Sequence, residues 1–147
     1  MYLSLLAAAL VAGCAGSPNA NVTQTDPKTG QPVQAAETAA AMLRAFPDIP
    51  IPANHKIDLD RSMIFTTPGQ SMGKLATTGS GDVDSLYHFY IDKMPQNGWN
   101  LVNAFQSSTS SLYYAKPGRF VAIIIEPSGF KGSRVSLNIG PEGAASR

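Results

Sequence analysis

The chain has little of what catalysis or nucleic-acid binding usually draws on. It holds one cysteine, Cys14, and two histidines, His55 and His88. A single cysteine closes no internal disulfide and supplies no cysteine cluster for zinc. The eleven Lys and Arg are scattered and the formal net charge is +1, so no basic stripe or tail marks a nucleic-acid footprint. No apolar run approaches the roughly 20 residues that a helix needs to cross a bilayer. At 147 residues the chain is too short for a large enzyme fold. Between Lys93 and Arg134 the only acid is Glu126, against Lys93, Lys116, Arg119, Lys131 and Arg134. Their loops are expected at different ends of a sheet, which reads as scattered solubilising charge.

What is there begins with Leu3 to Ala12, LSLLAAALVA, an uncharged apolar stretch followed by small residues and then Cys14. Its length suits the apolar region of an export signal. No Lys or Arg precedes it, which suggests a true start upstream of Met1. Val11-Ala12-Gly13-Cys14 resembles the lipobox of bacterial lipoproteins. The resemblance implies removal of residues 1–13 as a signal peptide and acylation of Cys14, with the membrane as partner through the acyl chains. Each buried methylene contributes about 0.8 kcal/mol, so two or more chains hold firmly where one is marginal. Ala15 follows the cysteine, and by the sorting rule of such lipoproteins this implies the outer membrane, facing the periplasm. Residues 14–45 are then the lipidated cysteine and a tether rich in Ala, Gly, Asn, Thr, Gln and Pro, with a short helix at its end. A flexible tether of this length reaches roughly 30 Å.

Roughly 100 residues remain for a core, enough for one two-layer domain, expected over residues 46–140 with a tail at 141–147. Ala35 to Phe46 is Ala-rich and helix-favouring, though its apolar face is thin. Pro47, Pro50 and Pro52 turn Phe46 to Pro52 into an extended strap. Ser62 to Thr67 and Lys74 to Thr78 read as a hairpin around Pro68-Gly69 and Gly73. From Ser80 or Asp82 a helix starts, with Val83, Leu86, Tyr87, Tyr90, Ile91 and Met94 on one stripe and Pro95 and Gly98 ending it. Strands follow at Trp99 to Gln106, Ser111 to Ala115, Arg119 to Glu126 and Arg134 to Ile139. The third, apolar on both faces, is expected at the centre with both sides covered. The expected fold class is α+β, a two-layer sandwich of about six antiparallel strands ordered ββαββββ with one main helix on one face. Either the strap and short helix or a partner must cover the other face.

Two segments, Phe46-Pro47-Asp48-Ile49-Pro50-Ile51-Pro52 and Tyr90 to Trp99 with the form Y-x-x-x-M-P-x-x-G-W, resemble a group of uncharacterised proteobacterial lipoproteins. The likeness covers about residues 46–140. It implies a location and a fold, and carries over no catalytic residue.

Three motifs suggest chemistry and fail on context. Gly69 to Gly73 matches G-x-S-x-G, but a nucleophile elbow joins a strand to a helix in a large parallel sheet, and here it leads into a short strand. The only downstream histidine, His88, lies within four residues of Asp84 on the same helix, whereas a triad converges from separate elements. Ser71 to Lys74 reads S-x-x-K and Lys28 to Gly30 reads K-T-G, in the wrong order and with the second in the tether. His55, Asp58 and Asp60 lack a second cluster to complete a metal shell. Neither cofactor, metal nor nucleic acid is expected. The candidate interaction surface is Phe89, off the apolar stripe of the helix, and Tyr114, one of two adjacent tyrosines that must point to opposite sheet faces. The expected function is non-enzymatic: a binding or envelope-assembly accessory with an envelope protein as partner. The alternative is a small-ligand or glycan binder whose sheet platform is Tyr114, Phe105 and Trp99.

Overall fold

The computed structural model describes residues 33–141; Cys14, the segment before it and most of the expected tether lie outside them. The architecture is α+β, an open antiparallel sheet with helices packed on one face. Helix α1 spans Val33–Ala45. The proline strap follows, and then a short strand β1, His55–Ile57, and a 3-10 turn at Leu59–Arg61. Strands β2 (Met63–Thr67) and β3 (Gln70–Ser80) form a hairpin. Its connection is Pro68-Gly69, with Gly69 at φ 90°, the left-handed conformation that glycine adopts at the second central position of a turn started by proline.

Helix α2, Val83–Gln96, begins at Asp82, whose carboxylate accepts from the Ser85 N–H at 2.7 Å and the Ser85 hydroxyl at 3.0 Å. These bonds hold the Asp82 carboxyl below its usual range. Pro95 does not stop the helix but sits in its last turn. Gly98, at φ 82°, then reverses the chain. Strands β4 (Asn100–Phe105), β5 (Ser110–Lys116), β6 (Arg119–Ser128) and β7 (Gly132–Pro141) form a meander. The sheet order is β1-β3-β7-β6-β5-β4, with β2 also on β3. One edge is therefore made of β1 and β2 end to end, broken at the 3-10 turn. There Ser62 replaces a ladder residue, its hydroxyl accepting from the Ala76 N–H at 2.9 Å, while the Asp58 N–H reaches the Ala76 carbonyl at 2.9 Å.

Alternation decides the core. Leu112 and Tyr114 of β5, Val121, Ile123 and Ile125 of β6, Val135, Leu137 and Ile139 of β7, and Leu75 of β3 share one face and are buried. Leu86, Tyr90 and Met94 of α2, together with Phe46 and Ile49 of the strap, close over them. Met42 and Ala45 of α1 pack at the margin of the same cluster. Helices and strap thus lie on one side of the sheet.

The structure departs from the sequence reading in three places. β1 forms where the local pattern marks no element, β3 is longer than Lys74 to Thr78, and β6 is central without being covered on both sides. Val121, Ile123 and Ile125 are buried, whereas Ala122 and Ile124 are half-buried and Phe120 is exposed.

Candidate functional site

The second sheet face carries no layer among the described residues, and its side chains are not those of an ordinary solvated face. Three rows cross it. In the first, Phe65 of β2 stands opposite Met72 of β3, and Phe120 of β6 lies between Gly140 of β7 and Ala115 of β5. A Cβ at Gly140 would stand 2.7 Å from Cε1 of Phe120, so the missing side chain is what lets that ring lie across β7. In the second row Met63, Lys74, Asn138, Ala122, Tyr113 and Asn103 follow one another across the sheet. The third runs Ala76, Ser136, Ile124, Ser111 and Phe105. The centre is small and flat while large apolar side chains stand towards its rim: Met63 and Phe65 are each 57% exposed, Phe105 59%, Phe120 40% and Tyr113 39%. Scattered exposed apolar residues are ordinary, but five large ones standing on a single uncovered sheet face make that face the candidate contact surface.

This corrects the residues expected on that surface. Tyr114 is buried and points into the core, its hydroxyl donating to the Tyr90 carbonyl at 3.0 Å. Burial pushes its phenol up to about 12, with the neighbouring Tyr87 adding to the rise. Its neighbour Tyr113 is the outward one. Trp99 is also buried, and of the expected platform only Phe105 faces outward. Phe89 is half-buried at the margin of the core, edge-on to Tyr90 at 5.1 Å between ring centroids, and is no exposed contact residue.

A second constellation gathers where the strap meets the β5–β6 turn. The Trp99 indole N–H donates to the Asp48 carbonyl at 3.0 Å. The Asp48 carboxylate is paired with Lys116 and, at 2.9 Å, with Arg119. Lys116 and Arg119 also sit over the Trp99 ring, at 4.5 and 5.3 Å from its centroid. The two sequence segments with the lipoprotein-like patterns therefore meet here, one supplying Asp48 and the other Trp99. The arrangement is a clamp: it fixes the strap to the sheet with two cation–π contacts and two ion pairs.

Buried polar groups elsewhere are structural. His55 bonds Thr77 Oγ1 through Nδ1 at 3.0 Å and Ser133 Oγ through Nε2 at 3.2 Å. A serine beside a histidine suggests a nucleophile and base, but Ser133 is 1% exposed and the third group is a hydroxyl rather than a carboxylate. Burial lowers the His55 pKa, which keeps the ring neutral and suited to two hydroxyl partners. Asp58 is committed to Arg61 at 2.9 Å, so it does not join His55 around an ion. Among the described residues no group of three His, Cys, Asp or Glu side chains converges. Ser71 lies within β3 beside Thr66, not at a strand-to-helix elbow, and Asp84 and His88 sit on the exposed side of α2.

No helix among the described residues is long and apolar enough to cross a membrane. Comparison with protein-family models, with curated proteins and with solved structures finds no match to this chain.

Proposed function

We propose that this chain is a membrane-anchored bacterial lipoprotein, held through acyl chains on Cys14 at the periplasmic face of the outer membrane, whose domain works non-enzymatically by binding an envelope protein as an assembly accessory. The observation that carries the binding role is the uncovered sheet face with Met63, Phe65, Phe105, Tyr113 and Phe120 at its rim. The lipobox-like Val11 to Cys14 supports the anchor. A flat surface of rings around small residues suits a protein partner, whose side chains fill the spaces between them.

The test is photo-crosslinking in living cells with a probe at Phe65 and another at Tyr113, in chains with Cys14 and with Cys14→Ala. A discrete protein adduct at both sites, lost with Cys14, is the expected result. No adduct at either site removes the protein-binding reading. A second reading, a small-ligand or glycan site, draws on Tyr113 standing between Asn103 and Ala122, with Asn138 one strand further, since aromatic rings beside amides suit sugar recognition. Calorimetric titration with envelope glycans tests it, and heat that survives Tyr113→Ala refutes this platform.

A further inference from the structure

The most exposed large apolar side chain among the described residues is neither on the open face nor near the clamp. Phe130, 97% exposed, stands at the tip of the β6–β7 hairpin. The loop is short, since Ser128 pairs with Gly132 and only Gly129, Phe130 and Lys131 lie between them. Both glycines are required: Gly129 is at φ 65°, and a Cβ at Gly132 would stand 2.7 Å from the Ser128 carbonyl oxygen. The geometry therefore holds an aromatic ring out on a tight turn, with the Lys131 ammonium 6.0 Å from its centroid.

The position of this tip matters more than its exposure. His55 pairs with Gly79, Gly79 with Ser133, and Ser80 with Gly132, so β1 and the tip share one end of the sheet. Ala35 and Ala36, at the start of α1, line a groove with His55, Lys56, Ile57 and Leu59, while Ala45 at the other end of α1 lies beside Thr66, Thr67 and Arg119. Helix α1 thus enters the domain at the end that carries Phe130, and the clamp and the β5–β6 turn lie at the opposite end. Residues 15–32 separate Cys14 from Val33, and the two are at most about 70 Å apart when the chain is fully extended.

We propose that Phe130 and Lys131 form a bilayer-contacting tip. Resting on the reading of Cys14 as the anchor, this makes the tip a second and weaker attachment that orients the domain. The occupant is the lipid surface: the ring lies at the headgroup boundary, where aromatic residues are favoured, and the ammonium lies among the phosphates. Asp82 lines the recess beside Phe130 and Lys131, and is the one carboxylate among the residues of that recess. With the tip down, the strands stand away from the bilayer and the open face looks sideways along it.

The experiment couples the full chain through its only thiol, Cys14, to maleimide-headed lipids in phosphatidylcholine vesicles with brominated acyl chains, using Phe130→Trp and, as the opposite end, Pro117→Trp. Trp99 is buried, and its contribution is measured for each variant in vesicles without brominated chains and subtracted. The expected result is bromine quenching at position 130 and none at 117. Detachment by Phe130→Ser should lower the bound-tip population roughly tenfold, read from quenching of a tryptophan beside the pair and outside it, Pro127→Trp, in chains with and without the change. Equal quenching at 130 and 117, or none at either, overturns the proposal. Because the maleimide replaces natural acylation, that failure leaves the lipoprotein reading standing; mass spectrometry of Cys14 from cells decides the latter separately.

Discussion

Replacing Asp48 by asparagine keeps the shape of the strap and its backbone carbonyl, and so keeps the bond from the Trp99 indole. It removes the only carboxylate that pairs with Lys116 and Arg119 among the described residues. Breaking a fully buried pair by deleting one partner costs about 3–5 kcal/mol, because the remaining charge is left desolvated. Here the Asp48, Lys116 and Arg119 side chains are 17%, 21% and 23% exposed, so some solvation returns and about 2–3 kcal/mol is expected. For a domain of this size that corresponds to a fall in Tm of about 10–20 °C. Urea unfolding followed by the fluorescence of Trp99 reads it directly, since the lone tryptophan sits inside the clamp. The same substitution made with Lys116→Met and Arg119→Met should be neutral or stabilising, as the carboxylate is then the unpaired group. A loss below about 0.5 kcal/mol in the first background would refute the reasoning, for the pair would then behave as an exposed one.

Two further tests concern the core. Leu137 is fully buried in β7 opposite Leu75 and Ile123, and Leu137→Ala should cost about 2–5 kcal/mol by leaving a cavity, read as a lower urea midpoint at unchanged slope. His55 takes up a proton at its ordinary value of 6.5 when unfolded but only at lower pH when folded. Its contribution to stability is therefore complete above pH 6.5 and falls as the pH drops through it, levelling off below the folded value. Urea unfolding at a series of pH values should show this decline and lose it in His55→Gln.

Most of the fold was legible in the sequence because its signals are local. The Asp82 cap and the stripe from Val83 to Met94 announce α2, and glycine and proline punctuate the meander. What escaped depends on distant partners. β1 is three residues long, and it is held by pairing with β3 and by His55 bonds to Thr77 and Ser133, none of which leaves a trace in the local sequence. Pro95 costs α2 the backbone bond to the Ile91 carbonyl, and only Gln96 follows it in the helix, so the loss falls at the helix end. On the sheet, alternation shows that Tyr113 and Tyr114 face opposite ways but not which way is out. A usable signal was present: Leu112 shares the face of Tyr114, and Val121 stands opposite it. The gathering of Met63, Phe65, Phe105 and Phe120 on one face required strand order and register, which no short pattern encodes. The aromatic tip at Phe130 lies in the local Gly129 to Gly132 turn, but its sharing of one end of the sheet with the start of α1 depends on long-range packing.

The strand order also dictates a sequence of events during synthesis. β3 is made early, yet its long seam is with β7, the final strand among the described residues, some sixty positions later by the pairing of Gly73 with Ile139 and Ser80 with Gly132. β1 and β2 hang only on β3, so that whole side of the sheet waits for the other to be completed. Local hairpins close quickly and distant seams slowly. The meander can therefore assemble by itself first, and the early half docks onto it afterwards. On the export route proposed above, a chain whose early half cannot close before β7 is made would remain open for passage across a membrane.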